Sequence, residues 1–164
     1  MNEKAQKQSI YIESSVISYL TAKENRDLII AARQKITRNW WKRIANSSEL
    51  FVSTYVIDEI SQGDSSASEI RLKTVKNCSL LPASDEISFL AKEYFRRMQI
   101  PDHAMYDSLH LACAVLNGID IIVSWNFKHI ANPTIRHILR EINNKLGYET
   151  PEITTPEELM EGDL

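Results

Sequence analysis

The chain has 164 residues, 43% of them hydrophobic and 25% charged, with a formal net charge of −3. That length suits one compact domain with a core of its own, without disulfide or zinc staples. The mild negative balance excludes bulk attraction to a polyanion, so any nucleic-acid contact needs a local basic patch.

The opening stretch MNEKAQKQS is polar, and residues 1–8 read as a flexible leader to a single domain spanning 1–164. No apolar signal segment opens the chain, and no run approaches the ~18 apolar residues of a membrane span. The expected location is the cytoplasm. Cys78 and Cys113 form no CxxC and no zinc-spaced array, so two reduced, largely buried thiols are expected.

In chain order, SIYIE is the first strand. Ser14 or Ser15 offers an N-cap to a short helix through VISYL. Over residues 26–45, the spacing of Leu28, Ile29, Ala32, Ile36, Trp40 and Ile44 predicts one amphipathic helix. LFVS is a second strand, after which Thr54 caps the helix carrying Glu59 and Gly63 ends it. Residues 64–76 read as helix and SLL as a brief strand. Ser84 caps a helix through about Gln99, and Pro101 breaks it. Asp102 caps the next helix, which ends near Gly118. IDIIV is the clearest buried strand. Pro133 to Leu146 is helical and Gly147 stops it. EIT adds an edge strand, and Thr155-Pro156-Glu157-Glu158 is a capping box that starts a small final helix. Strands separated by helices imply βαβ units and a mostly parallel sheet with helices on both faces, a three-layer α/β/α sandwich.

In such a sheet, ligands sit outside the carboxyl ends of the strands. Glu13 closes the first strand and Asn126 lies just past IDIIV. Glu59 sits in the second turn of its helix, and Asp107 lies early in YDSLHLACA, at the head of the apolar face of Leu111 and Ala114. Each alone has an ordinary structural reading as a cap, turn or solvated acid. Asp58 rivals Glu59. Acids gathered at one sheet edge repel one another unless a cation holds them, which points to a divalent metal and phosphate chemistry.

The order IYIESSVISYL, VIDEISQGD, DSLHLACA and IIVSWNFKHIANP resembles the PIN-domain family, and in particular toxins of the VapC type from toxin–antitoxin modules. The resemblance runs from about Ile10 to TTPEEL. It implies a parallel sheet between helices and divalent-metal-dependent cleavage of RNA. It also implies a homodimer and an antitoxin partner that covers the acidic cleft. Glu13 stands where the family has its first-strand Asp; Glu59 and Asp107 match its helix acids; Asn126 stands where many members have a fourth acid. These four are the expected catalytic and metal-binding residues, with Mg²⁺ or Mn²⁺ as cofactor. Glu13 is one methylene longer than Asp, and Asn126 removes a charge. Both departures motivate an alternative: a catalytically weak or inactive PIN-like module that binds RNA or protein. A phosphohydrolase for small phosphates is disfavoured, because no D-x-D pair follows the first strand and no glycine-rich phosphate loop is present.

Ser15 and Ser124 flank the acids and read as caps or turns that can also orient a carboxylate. His110 reads as a packed structural histidine able to hydrogen-bond an acid. His103, His129 and His137 have no ligand spacing to one another; His129 can touch RNA phosphate with Lys128. Arg26, Arg33, Lys35, Arg38, Lys42 and Arg43 with Trp40 and Trp41 combine charge and stacking surface. They read either as an RNA-binding helix or as a solvated face, with one tryptophan in the core.

Overall fold

The β-rich runs of the sequence line up as one sheet because each is too short and too apolar to stand alone. The structure is a computed structural model that describes residues 7–44 and 47–161. Residues 1–6 of the expected leader and the predicted helix end at Ala45 lie outside the described residues. Among the described residues, β1 (Ser9–Ile12), β2 (Glu49–Ser53), β3 (Ser79–Leu81), β4 (Ile121–Val123) and β5 (Glu152–Thr154) form a parallel sheet in the order β3-β2-β1-β4-β5. The helices are α1 (Ser14–Thr21), α2 (Leu28–Ile44), α3 (Thr54–Ile60), α4 (Ser65–Thr74), α5 (Asp85–Met98), α6 (Met105–Leu116), α7 (Pro133–Leu146) and α8 (Pro156–Glu161). α2 packs on α1 and α8, while α5 packs on α6 and α7. The sheet is flanked by helices, as expected, and the parallel pairing extends to its edges. None of the described helices is long and apolar enough to cross a membrane.

From β1 the chain winds outward through β2 to β3, then returns to the other side of β1 with β4 and β5. The order therefore reverses between β1 and β4. Diverging crossovers leave a crevice at the carboxyl ends of such a pair. Glu13 follows β1, and Ser124 follows β4 at that same edge.

Several predicted caps shift by one residue. The α1 cap is Glu13 itself, whose carboxylate accepts from the Ser15 amide, in place of Ser14 or Ser15. Ser53, not Thr54, caps α3, and α3 ends at Ile60, with Gly63 in the turn beyond at φ +85°. Asp102 starts a 3₁₀ turn instead of capping α6, whose N-cap Ala104 has no side-chain bond. The last helix behaves as its sequence predicts. The Glu158 amide donates to Thr155 Oγ1 at 3.1 Å and the Thr155 amide to Glu158 Oε2 at 2.8 Å.

The inner face of α2 is a correction of substance. Of the expected face, Trp40 is buried and Ile36 and Ile44 pack against the core, but Leu28 is 86% exposed, Ile29 64% and Ala32 is exposed too, while the polar Gln34 and Thr37 are buried in their place. The buried polar pair is satisfied: Gln34 donates to the Lys23 carbonyl and accepts from the Asn25 amide, and Trp125 Nε1 donates to Thr37 Oγ1 at 2.8 Å. Hydrogen bonding makes this polar stripe as good an inner face as the apolar one. Trp41 is partly buried and packs against the core, so neither tryptophan offers an open stacking surface. Cys113 is buried and Cys78 partly so, and both are free. Burial pushes their thiols up to about 12 and about 11, which keeps them as inert thiols.

Candidate metal centre

Glu13, Glu59, Asp107 and Asn126 line one cavity at the carboxyl edge of the sheet. Four separate elements bring them there. β1 ends and α1 begins at Glu13; α3 carries Glu59; the first turn of α6 carries Asp107; the segment after β4 carries Asn126. Their rivals Asp58 and Asp102 are exposed and line neither this cavity nor its neighbour.

Glu13 is 4% exposed, yet its carboxylate is richly hydrogen-bonded. Oε1 accepts from the Ser15 amide at 3.1 Å. Oε2 accepts from Ser124 Oγ at 2.7 Å and from Ser15 Oγ. Both serines also accept from a backbone amide: the Trp125 amide donates to Ser15 Oγ, and the Asn126 amide to Ser124 Oγ, each at 2.9 Å. They tie the ends of β1 and β4 together around one carboxylate.

Glu59 accepts from Ser14 Oγ at 2.7 Å and from His110 Nε2 at 2.5 Å, both on Oε1. His110 is fully buried, and its Nδ1 shares a 2.7 Å hydrogen bond with the Tyr11 hydroxyl, which in turn meets Ser53 Oγ at 2.6 Å. A ligating atom from each of Glu13, Glu59 and His110 lies within 4.8 Å of the others. Both ring nitrogens of His110 are already engaged, so the donors open to a cation here are carboxylate oxygens. Burial pushes Glu59 up, but the His110 hydrogen bond and charge and the Ser14 hydroxyl outweigh it, holding Glu59 below the usual carboxylate value.

Asp107 differs. It is 8% exposed, and burial first, then the charge of Glu13, raise its pKa to about 6, against the lowering pull of His110 and Asn126. Asn126 Nδ2 donates to Asp107 Oδ1 at 2.9 Å, while Asn126 Oδ1 accepts from the amides of Lys128 and His129. In this arrangement Asn126 turns its nitrogen to the acids and spends its oxygen on the turn that follows β4.

Three carboxylates of one sign in a half-dry cavity, one of them pushed toward neutrality, fit a hard divalent cation that prefers oxygen ligands. The sequence reading missed Tyr11, Ser14 and Arg71. Tyr11 lies within β1 and Ser14 opens α1, where chain position alone carries a weak signal. Arg71 comes from the last turn of α4 and reaches the cavity only through packing.

The model of the PIN domain matches residues 10–131. No curated protein matches the chain. Among solved structures, VapBC2 from Rickettsia felis, bound to a DNA fragment from its promoter, aligns over 90% of this chain and 98% of its own at 12% identity, TM-score 0.59. VapC20 of Mycobacterium tuberculosis, described as a sarcin-ricin loop cleaving toxin, aligns over 73% and 92% at 13% identity, TM-score 0.59. VapBC-1 from nontypeable Haemophilus influenzae aligns over 92% and 99% at 12% identity, TM-score 0.56. At these identities the likeness is one of fold.

Proposed function

The chain belongs to the PIN-domain family, and from that premise we propose that it is a divalent-metal-dependent endoribonuclease, the toxin of a toxin–antitoxin pair. The observation that carries this reading is the meeting of Glu13, Glu59 and Asp107 on one cavity, with Asp107 raised to about 6. The fold neighbours add weight to the substrate and the partner: one is a sarcin-ricin loop cleaving toxin and two are VapBC toxin–antitoxin structures.

In this reading Glu13, Glu59 and Asp107 hold Mg²⁺ or Mn²⁺, which supplies Lewis-acid polarisation of the phosphate and activation of water. Ser15 and Ser124 fix the Glu13 carboxylate, Ser14 and His110 fix Glu59, and Asn126 fixes Asp107. Pre-set carboxylates need little reorganisation during the reaction. The antitoxin would cover the cleft, and an arginine from it would replace the cation's charge on the same acids. A homodimer and a cytoplasmic location complete the proposal.

The test is cleavage of a mixed RNA pool with Mn²⁺, Mg²⁺ or EDTA, with Asp107→Ala alongside. Metal-dependent cutting that disappears in the folded variant is the expected outcome. Folded parent protein that cuts nothing under either metal would favour the module that only binds RNA or protein. The occupied oxygen of Asn126 is the feature that favours this second reading.

A further inference from the structure

Two cavities meet at the acids: Glu59, Asp107 and Asn126 line both. The first continues past Glu13 to Arg71. The second continues to Lys128, His103 and His129. The acids therefore stand between two cationic shoulders supplied by different parts of the fold, α4 on one side and the turn after β4 on the other.

Arg71 is anchored but not neutralised. Its Nε donates to the Ile60 carbonyl at 2.9 Å and its Nη2 to the Gln62 carbonyl at 2.6 Å. A guanidinium has five N–H donors, and the other three have no acceptor among the described residues. Arg71 shares its cavity with Glu13, Glu59 and Asp107 and forms no ion pair with any of them within the described residues. Carbonyl anchoring holds it back from the carboxylates and leaves its charge for a ligand from outside. Lys128 is exposed, and its own amide bonds to Asn126 Oδ1 at 3.2 Å, which fixes its place beside the site. The rings of His103 and His129 meet edge to face, with centroids 6.4 Å apart, on the same wall.

We propose that the acid cluster is the middle of a through-going channel for a single RNA strand. This rests on the nuclease reading above. The cleaved phosphodiester lies at Glu13, Glu59 and Asp107; one neighbouring phosphate of the same strand lies on Arg71, and a phosphate on the opposite side lies on Lys128. Such cations supply locally the attraction that a chain of net charge −3 lacks overall. The substrate is then an internal bond with strand on both sides, since a dinucleotide reaches neither shoulder with a second phosphate.

The test is the salt dependence of binding to a fluorescent single-stranded RNA of about twelve nucleotides, on an Asp107→Asn background that leaves the strand uncut. Each lost phosphate contact lowers the log–log slope by about 0.7. Lys128→Gln and Arg71→Gln are each expected to give that loss, the pair about twice it, and Arg71→Lys to restore it. Arg71 tethers α4 to the end of α3, so its variant is checked by thermal unfolding; exposed Lys128 carries the test if Arg71→Gln does not fold. In the parent, a dinucleotide should be cut at least about tenfold more slowly than the longer strand. Unchanged slopes in Lys128→Gln and Arg71→Gln, or no measurable RNA binding, overturn the channel. Unchanged slopes beside metal-dependent cutting would leave the nuclease reading standing. Reduced slopes in a parent that never cuts would sink that reading and keep the strand track.

Discussion

His110 Nε2 lies 2.5 Å from Glu59 Oε1, and the other ring nitrogen of His110 lies 2.7 Å from the Tyr11 hydroxyl. A fully buried histidine from α6 thereby fixes a carboxylate on α3 and is itself fixed from the centre of the sheet. Burial pulls the His110 pKa down, but the Glu59 hydrogen bond and the surrounding carboxylates raise it overall.

Tyr11→Phe keeps the ring and removes the hydroxyl, leaving His110 Nδ1 and Ser53 Oγ without that partner. A buried polar group left unpaired costs about 1–3 kcal/mol. Denaturant unfolding should show that loss. Cleavage should fall too, because the imidazole no longer sits rigidly behind Glu59. Unchanged stability with unchanged cleavage would mean that the relay positions nothing.

Asp107 makes the metal-free protein sensitive to pH. Its pKa is about 6 when folded against an ordinary 3.8. Between those values the folded chain binds more protons than the unfolded one, so stability falls as pH rises through roughly 4 to 6. The full cost at neutral pH is on the order of 3 kcal/mol, at 1.36 kcal/mol per unit. Asp107→Asn should therefore raise metal-free stability at pH 7 by up to about 3 kcal/mol, or about 6–12 °C in Tm, and by much less at pH 4. Mn²⁺ should stabilise the parent and not the variant. A gain equal at both pH values, or equal stabilisation by Mn²⁺, would contradict the unpaired-acid account.

The extra methylene of Glu13 has a structural use. It lets one carboxylate cap α1 through the Ser15 amide while its other oxygen reaches Ser124 across the β1–β4 crevice. Asp is a good N-cap, so Glu13→Asp should keep the helix and change stability by less than about 1 kcal/mol. It shortens the reach to Ser124, and misplacing a reacting group by an ångström costs on the order of 10²-fold. The expected result is a folded protein with that loss of cleavage. Parental activity from Glu13→Asp would show that the longer side chain is incidental.

The elements and the acids were legible because short apolar runs, Gly147 and the Thr155–Glu158 box each carry a local signal that packing does not override. The inner face of helix α2 was only half legible, since it depends on what Gln34 and Thr37 meet: the Lys23 carbonyl before the helix and the Trp125 indole far along the chain. For the same reason the four expected site residues were nameable but their division of labour was not. Asn126 has two ends, and only the turn that follows it decides that the oxygen faces the backbone and the nitrogen faces Asp107. Arg71 has no local signal at all.

The stacking surface expected of Trp40 and Trp41 moves to Phe127, which is 43% exposed and lies beneath the Arg33 guanidinium at 4.8 Å. Trp125, which lines the acid cavity, meets Phe127 at 6.1 Å and the same guanidinium at 5.6 Å. Arg33, from the basic stretch of α2, bears on the cavity wall through these aromatic rings. A ring and a guanidinium packed on the Trp125 that lines the cavity suit an unpaired base, and such stacking is worth about 1–3 kcal/mol per base. Phe127→Ala should weaken binding of single-stranded RNA about 5- to 150-fold on an uncut background. Phe127 is already nearly half exposed, so stability should move by no more than about 1 kcal/mol. RNA affinity unchanged in Phe127→Ala would assign the ring to packing under Arg33 and remove the base-stacking role.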